Sequence, residues 1–317
     1  MTSTRVAAID CGTNSIRLLV ADVDSAGNLT EVDRRMEVVR LGQGVDRTGE
    51  LAPEALERTL AATHRYAAAI DAAGAERVRF VATSATRDAR NRDAFFDGVR
   101  AALGAEVEVI SGGEEAQLSF RGATGAVVGA HRGPYLVVDL GGGSTELVLG
   151  TGSVDASCSM DVGSVRMTER HLRSDPPSSA EIEAARADVR AHLDDAARVV
   201  PLAKTTTLVG LAGSITTVTA HALGLTEYRR DRVDQAELPV ETVLASCAAL
   251  VAAPRAERTA MGFLHPGRVD VIAAGALVWS EVIRRVVADV AAAGGSLETV
   301  VTSERDILDG IALSMAG

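Results

Sequence analysis

Lysine is nearly missing from this chain: Lys204 is the only one, and the remaining positive charge is arginine. That excludes the P-loop nucleotide motif, whose lysine follows a glycine at the end of a glycine-rich loop, because Lys204 follows Ala203. Aromatic residues make up 3% of the sequence, so its cores are built from Ala, Val, Leu and Ile. Cysteine is scarce too. Cys11, Cys158 and Cys247 lie too far apart for a local metal-ligand pair and are odd in number, which reads as free thiols in a reducing compartment. The six histidines form no HExxH pair, and His265 in LHPGR reads as structural or surface. A net charge of −11 argues against a nonspecific nucleic-acid binder, which needs clustered positive charge. The N-terminus runs into a strand with no basic segment and apolar signal core, so the expected location is cytoplasmic. Only the stretch from Thr205 to Thr226 is long and free of Asp, Glu, Lys and Arg. It is broken by Gly210, Gly213 and Gly224 and carries seven threonines, so it reads as a buried turn and helix, with no membrane span.

With 317 residues, 47% of them hydrophobic and 24% charged, the chain has the material for about two domains with separate cores. The organising stretch is Tyr135 to Gly150, YLVVDLGGGSTELVLG: a strand ending in Asp139, a turn of three glycines with Ser144 and Thr145, and a returning strand. Glycines there let an anion such as phosphate approach the backbone N–H groups. A carboxylate at the strand end suits Mg²⁺, which takes oxygen ligands and reaches phosphates through retained waters. One such turn is equally well a glycine-rich hairpin with a solvated Asp. A second copy decides between them: shifting VAAIDCGTNSIRLLVADVD by 129 positions places Asp10 on Asp139, Gly12 on Gly141, Ser15 on Ser144 and Leu18 on Leu147. Two related halves, each presenting a phosphate-cradling turn to a cleft, are therefore expected. Neither turn is a dinucleotide fingerprint, since the position three after Gly143 is Glu146.

Further along, Leu51 to Ala73 has helical spacing, with Pro53 suited to its first turn and Gly74 to its stop. Val78 to Ala82 reads as a strand entering a helix at Thr83 and Ser84, with Arg87 about one turn inside. Spacing alone makes Arg87 a surface guanidinium rather than a phosphate clamp. After a strand at Val107 to Ile110, Ser111 and Glu114 have capping-box spacing. Glu115 has no such structural explanation and is a candidate general base. A strand then a helix are read around Ser164 and Arg166, an outer helix from Ser179 to Arg198, and a strand at Leu208 to Leu211. That last strand leads to Gly213 and Ser214, where a helix start offers N–H groups to an anion, with close strand-to-helix packing as the equal alternative. GRVDVIAAGALVWSEVIRRV reads as a buried helix, Val300 to Thr302 as the last strand and ERDILDGIALSM as the last helix.

The ordered set AAIDCGTNSIRLLV, TSATRDARN, ISGGEEAQLSFRG, VVDLGGGSTELV, GSVRMTER, GLAGSITT, RVDVIAAGA and ERDILDGIAL resembles the exopolyphosphatase and guanosine pentaphosphate phosphohydrolase family. The resemblance implies two α/β domains of ribonuclease-H-like topology, residues 1–125 and 126–317, in the actin, sugar-kinase and chaperone-ATPase superfold around an interdomain cleft. It leaves open whether the final helix packs back on the first domain. By the same resemblance Glu115 deprotonates the attacking water and Arg87 grips the terminal phosphoryl group. Asp139 acts with Mg²⁺, or Mn²⁺, with Asp10 and Glu146 as further metal carboxylates. Asn14, Ser15, Arg17, Gly142, Gly143, Ser144, Gly213 and Ser214 hold phosphate. The implied reaction releases terminal orthophosphate from inorganic polyphosphate or guanosine pentaphosphate, with neither nucleic acid nor membrane as partner. A homodimer is the default assembly. Longer family members carry a further helical region that this sequence lacks, which points to short chains. Two other readings stand beside this one: a small-molecule kinase of the same superfold, and a non-catalytic polyphosphate or alarmone sensor.

Overall fold

In the computed structural model, which describes residues 3–315, the chain divides into two compact units. One comprises the residues up to Gly122 with those from Ile307 onward; the other is Ala123–Asp306. The first contains β1 (Ser3–Cys11), β2 (Ser15–Asp24), β3 (Leu29–Val38), α1 (Val45–Thr48), α2 (Pro53–Ala73), β4 (Arg77–Ala82), α3 (Ser84–Asp88), α4 (Asp93–Leu103), β5 (Val107–Val109) and α5 (Gly112–Val127), within which the boundary falls. The second contains β6 (Tyr135–Leu140), β7 (Thr145–Gly150), β8 (Val154–Met160), α6 (Ser164–His171), α7 (Ser179–Ala197), β9 (Thr207–Leu211), α8 (Ala212–Ala222), α9 (Arg230–Val233), β10 (Glu237–Pro239), α10 (Val240–Ala252), α11 (Arg255–Ala260), α12 (Ile272–Ala292) and β11 (Thr299–Thr302). The last helix, α13 (Ile307–Ser314), belongs to the first unit and packs on β1 and β2.

Both sheets are mixed and share one plan. The first runs β3-β2-β1-β4-β5, with β1, β2 and β3 antiparallel and β4 and β5 parallel to β1. The second runs β8-β7-β6-β9-β11, with the same directions, and adds β10 antiparallel at its edge. This is the ribonuclease-H-like order, twice, as in the actin, sugar-kinase and chaperone-ATPase superfold. The hairpins that coincide at a shift of 129 are β1–β2 and β6–β7, the first two strands of each sheet.

Alternation along β1 shows why its sequence is almost continuously apolar. Ala7, Ile9 and Cys11 join the core under α2 and α4, while Val6 and Ala8 join a second cluster with Leu118, Ile307, Leu308 and Ile311. A strand covered on both faces has no polar side to show. In the second unit Leu136, Val138 and Leu140 of β6 face one large core that includes the single tryptophan, Trp279, of α12. Helix α2 starts at Pro53 and ends on Gly74 in a left-handed conformation at φ 68°, as the sequence suggests. Helix α7 begins on a complete capping box between Ser178 and Glu181. No helix among the described residues is long and apolar enough to cross a membrane; the uncharged stretch from Thr205 folds as β9 and α8.

Candidate active site

In the first unit the β1–β2 turn directs its carbonyls one way and its amides another. Thr13 O accepts from Gly42 N at 2.9 Å, and Asn14 O accepts from Val39 N at 3.1 Å and Arg40 N at 2.8 Å. Among the described residues, the amides of Thr13 and Asn14 have no acceptor. The Asn14 side-chain oxygen is likewise buried without a partner. Thr13 and Ser84 share a hydrogen bond at 2.9 Å, which ties the turn to the start of α3. The approach is so close that a Cβ at Gly42 would lie 2.4 Å from the Thr13 methyl and 2.9 Å from Ala85 Cβ.

Helix α3 then presents Arg87, whose Nη1 donates to Ile110 O at 2.9 Å and to Glu115 Oε2 at 3.2 Å. The Arg87 Nε and Nη2 have no acceptor among the described residues, so the fork retains donors for an anion. Glu115, in the first turn of α5, is only 8% exposed. Its neighbour Glu114 behaves differently: Ser111 Oγ accepts from the Glu114 amide at 3.2 Å, while the Glu114 carboxylate accepts from Arg79 at 2.8 Å. Asp10 and Arg17 are cross-strand partners, and Asp10 Oδ2 accepts from Arg17 Nε at 2.9 Å and Nη2 at 2.6 Å. Burial and the Asp10 charge push the Cys11 thiol well above its usual range, so it is no nucleophile.

The second unit repeats the turn with new partners. Gly141 O accepts from Ser164 N at 3.0 Å, Gly142 O from Val165 N at 2.8 Å and Arg166 N at 3.1 Å, and Gly143 O from Arg166 Nε at 2.7 Å. With the carbonyls turned to α6, the amides of Gly142 and Gly143 are again without an acceptor among the described residues. Ser144 is 2% exposed beside them. Asp139 and Glu146 occupy the positions of Asp10 and Arg17 and are directly opposed across β6 and β7. Directly opposed residues share a sheet face. Where the first hairpin sets a carboxylate against a guanidinium, the second sets two buried carboxylates together, with Ser159 Oγ donating to Glu146 Oε1 at 2.7 Å. That donor set fits a hard divalent cation, for which one or two carboxylates with waters and phosphate oxygens suffice. Among the described residues no group of three His, Cys, Asp or Glu forms a closed metal cage.

Gly213 and Ser214 reach the same region of this unit. Ala212, at φ 68°, turns β9 into α8 in a left-handed conformation unusual for alanine. A Cβ at Gly275 of α12 would lie 2.3 Å from Ser214 Oγ and 3.4 Å from Ser164 Cβ, and one at Gly163 would lie 2.5 Å from Gly142 C and O. The first turns of α6, α8 and α12 therefore converge on the β6–β7 turn. Sequence reasoning passed over Gly163, Gly275 and Arg268, whose guanidinium lies against Gly213; the glycines themselves were the available signal. His265 accepts from Gly267 N at 3.1 Å, a structural turn. All three cysteines are free.

Residues 19–289 match the family described as the Ppx/GppA phosphatase family. The chain is 51% identical, over the whole of both proteins, to "Exopolyphosphatase 2" of Mycobacterium tuberculosis. A solved exopolyphosphatase-like protein superimposes with a TM-score of 0.96 at 49% identity, covering 99% of this chain and 98% of that one. The Aquifex aeolicus PPX-GPPA enzyme gives a TM-score of 0.79 at 29% identity, covering 99% and 100%. The chain belongs to the Ppx/GppA phosphatase family, and with it to the phosphoanhydride hydrolases of exopolyphosphatase type.

Proposed function

We propose that this chain removes terminal orthophosphate from short inorganic polyphosphate, with Glu115 as the general base. The observation that supports it most is the Arg87–Glu115 pair: a buried carboxylate at a helix start, oriented by a guanidinium that still has donors to offer. Glu115 takes a proton from water as the water oxygen bonds to the terminal phosphorus, and the bond from that phosphorus to the bridging oxygen breaks. Arg87 Nε and Nη2 neutralise the transferred group's oxygens. In the first unit the amides of Thr13 and Asn14 are the phosphate-binding donors; in the second they are the amides of Gly142 and Gly143 with Ser144, extended by Gly213 and Ser214. Asn14, Ser15 and Arg17 belong to this set, Arg17 through its hold on Asp10.

Enzymes of the family generally depend on a divalent metal. Asp139 and Glu146 are the residues that would hold it, with Asp10 as the counterpart carboxylate and Mg²⁺ as the best match to all-oxygen ligands. When bound, it neutralises charge on the phosphate oxygens.

The test is phosphate release, with Mg²⁺, from short-chain polyphosphate, long-chain polyphosphate and guanosine pentaphosphate, for the native chain and Glu115→Gln. Turnover of short chains and a loss of about 10²-fold or more in the variant is the expected result. Preference for guanosine pentaphosphate would replace the substrate assignment. Equal, negligible turnover by both proteins with retained polyphosphate binding would make the chain a sensor.

A further inference from the structure

Helix α12 is flanked by α7 and α10, which both pack on it. Between them lies a groove of about 270 Å³, distinct from the turns described above, with Ile182, Leu244, Val251 and Leu277 among its lining residues. Ile182 and Leu244 pack on the core yet remain half-buried, so the floor offers apolar surface that nothing in the unit covers.

The charges around it do not balance. Glu183 accepts from Arg186 Nη1 at 2.6 Å, and the buried Glu281 accepts from Arg190 Nε at 2.7 Å with Arg186 Nε 3.3 Å away. Two carboxylates are thus matched by Arg186 and Arg190, and a third guanidinium, Arg284, is left over. It is exposed at the groove, and no hydrogen bond or ion pair holds it among the described residues; its electrostatic neighbour is the buried Cys247 thiol in the same lining. In a chain of net charge −11, one surplus cation over an apolar floor is a specific combination.

The geometry points to a binding site here for an aliphatic monoanion, a medium-chain carboxylate whose head meets Arg284 and whose tail lies on Ile182 and Leu244. A polyphosphate does not fit this description, because its charges would face the apolar floor and meet a single free guanidinium. A carboxylate on Arg284 gains a charge-assisted hydrogen bond, and the tail gains the removal of its methylenes from water.

Decanoate, below its micelle concentration, is the probe. Trp279 is the only tryptophan, is fully buried on α12 and adjoins Ser280 of the groove, so its fluorescence reports binding alongside calorimetry. One decanoate per chain is expected to bind with a Kd below about 1 mM. Arg284→Gln should weaken it about tenfold. Ala248→Phe, at an exposed position of α10 that lines the groove, should fill it and abolish binding without disturbing the core. Absence of binding to the native chain overturns the proposal, as does native affinity in Ala248→Phe. Decanol binding as tightly as decanoate overturns the anionic assignment.

Discussion

The two hairpins differ most at one residue. Arg17 in the first becomes Glu146 in the second, at the same register position opposite the strand-end aspartate. That exchange converts a neutral pair into a dicarboxylate and divides the labour between the turns: one is held by its own ion pair, the other is suited to a cation. Ser159 is the simplest handle on this difference, because its hydroxyl orients Glu146 from an exposed position on β8 where alanine is tolerated. Ser159→Ala is expected to raise the Mg²⁺ concentration for half-maximal phosphate release about tenfold, the scale of losing a ligand's supporting hydrogen bond, and to leave the urea midpoint unchanged. An unchanged Mg²⁺ requirement would overturn the proposal that Glu146 holds the metal. The carboxylates and turn residues of this comparison were legible in the sequence because a fixed shift of 129 brings them into coincidence. Arg268 was not legible, since what places it on Gly213 is the packing of distant elements, which leaves no local spacing to read.

Among the elements, α6, which the sequence shows as a helix following a strand around Ser164 and Arg166, is the most consequential for the cradle. Its first-turn amides take the carbonyls of Gly141 and Gly142, which is what turns the Gly142 and Gly143 amides outward. Gly163 is where the two backbones meet. A methyl there would stand 2.5 Å from Gly142 C and O and 2.6 Å from Gly143 N, all backbone atoms that have no rotamer to yield. Gly163→Ala should therefore cost about 1–3 kcal/mol of stability in urea unfolding and lower phosphate release from polyphosphate by more than the loss of folded protein explains. Gly152→Ala is the control, with nothing within 4 Å of the added methyl, and should match the native chain in both measurements. If Gly163→Ala also matches the native chain, the contact between α6 and the turn does not set the cradle. Helices with their own punctuation were readable: α2 from Pro53 and Gly74, and α7 from its prolines, although its start is set by the Ser178–Glu181 capping box rather than by Pro176 and Pro177. Helix α6 has no such cap; its start is fixed by Gly163 and a turn more than twenty residues earlier.

For the molecule as a whole, the doubling of the first hairpin was legible as a repeat and the sheet topology followed from the family resemblance, but the place of the last helix was left open, because an apolar helix of eight residues fits many surfaces. In the structure α13 closes the open face of the first sheet. Ile307, Leu308 and Ile311 lie with Val6, Ala8, Leu19 and Val81, and Asp309, 2% exposed, accepts from Arg34 Nη2 at 2.7 Å. Gly310 permits the closeness, since a Cβ there would stand 2.0 Å from Leu118 O of α5. The first unit is therefore completed by residues some two hundred positions beyond the end of its main segment, and its folding waits on them. Ending the chain after Asp306 uncovers the apolar face of β1 and β2 and leaves Arg34 without the Asp309 carboxylate, whereas the core around Trp279 lies wholly within the second unit. Loss of several buried aliphatic side chains at about 1.5–3 kcal/mol each exceeds what a unit of this size can spare. The truncated chain is expected to keep the cooperative urea transition reported by Trp279 fluorescence, and to lose hydrogen-exchange protection in β1 and β2. It should release no phosphate, since Arg87 and Glu115 belong to the unit that fails. Native protection in β1 and β2 after truncation would show that the first sheet stands without α13.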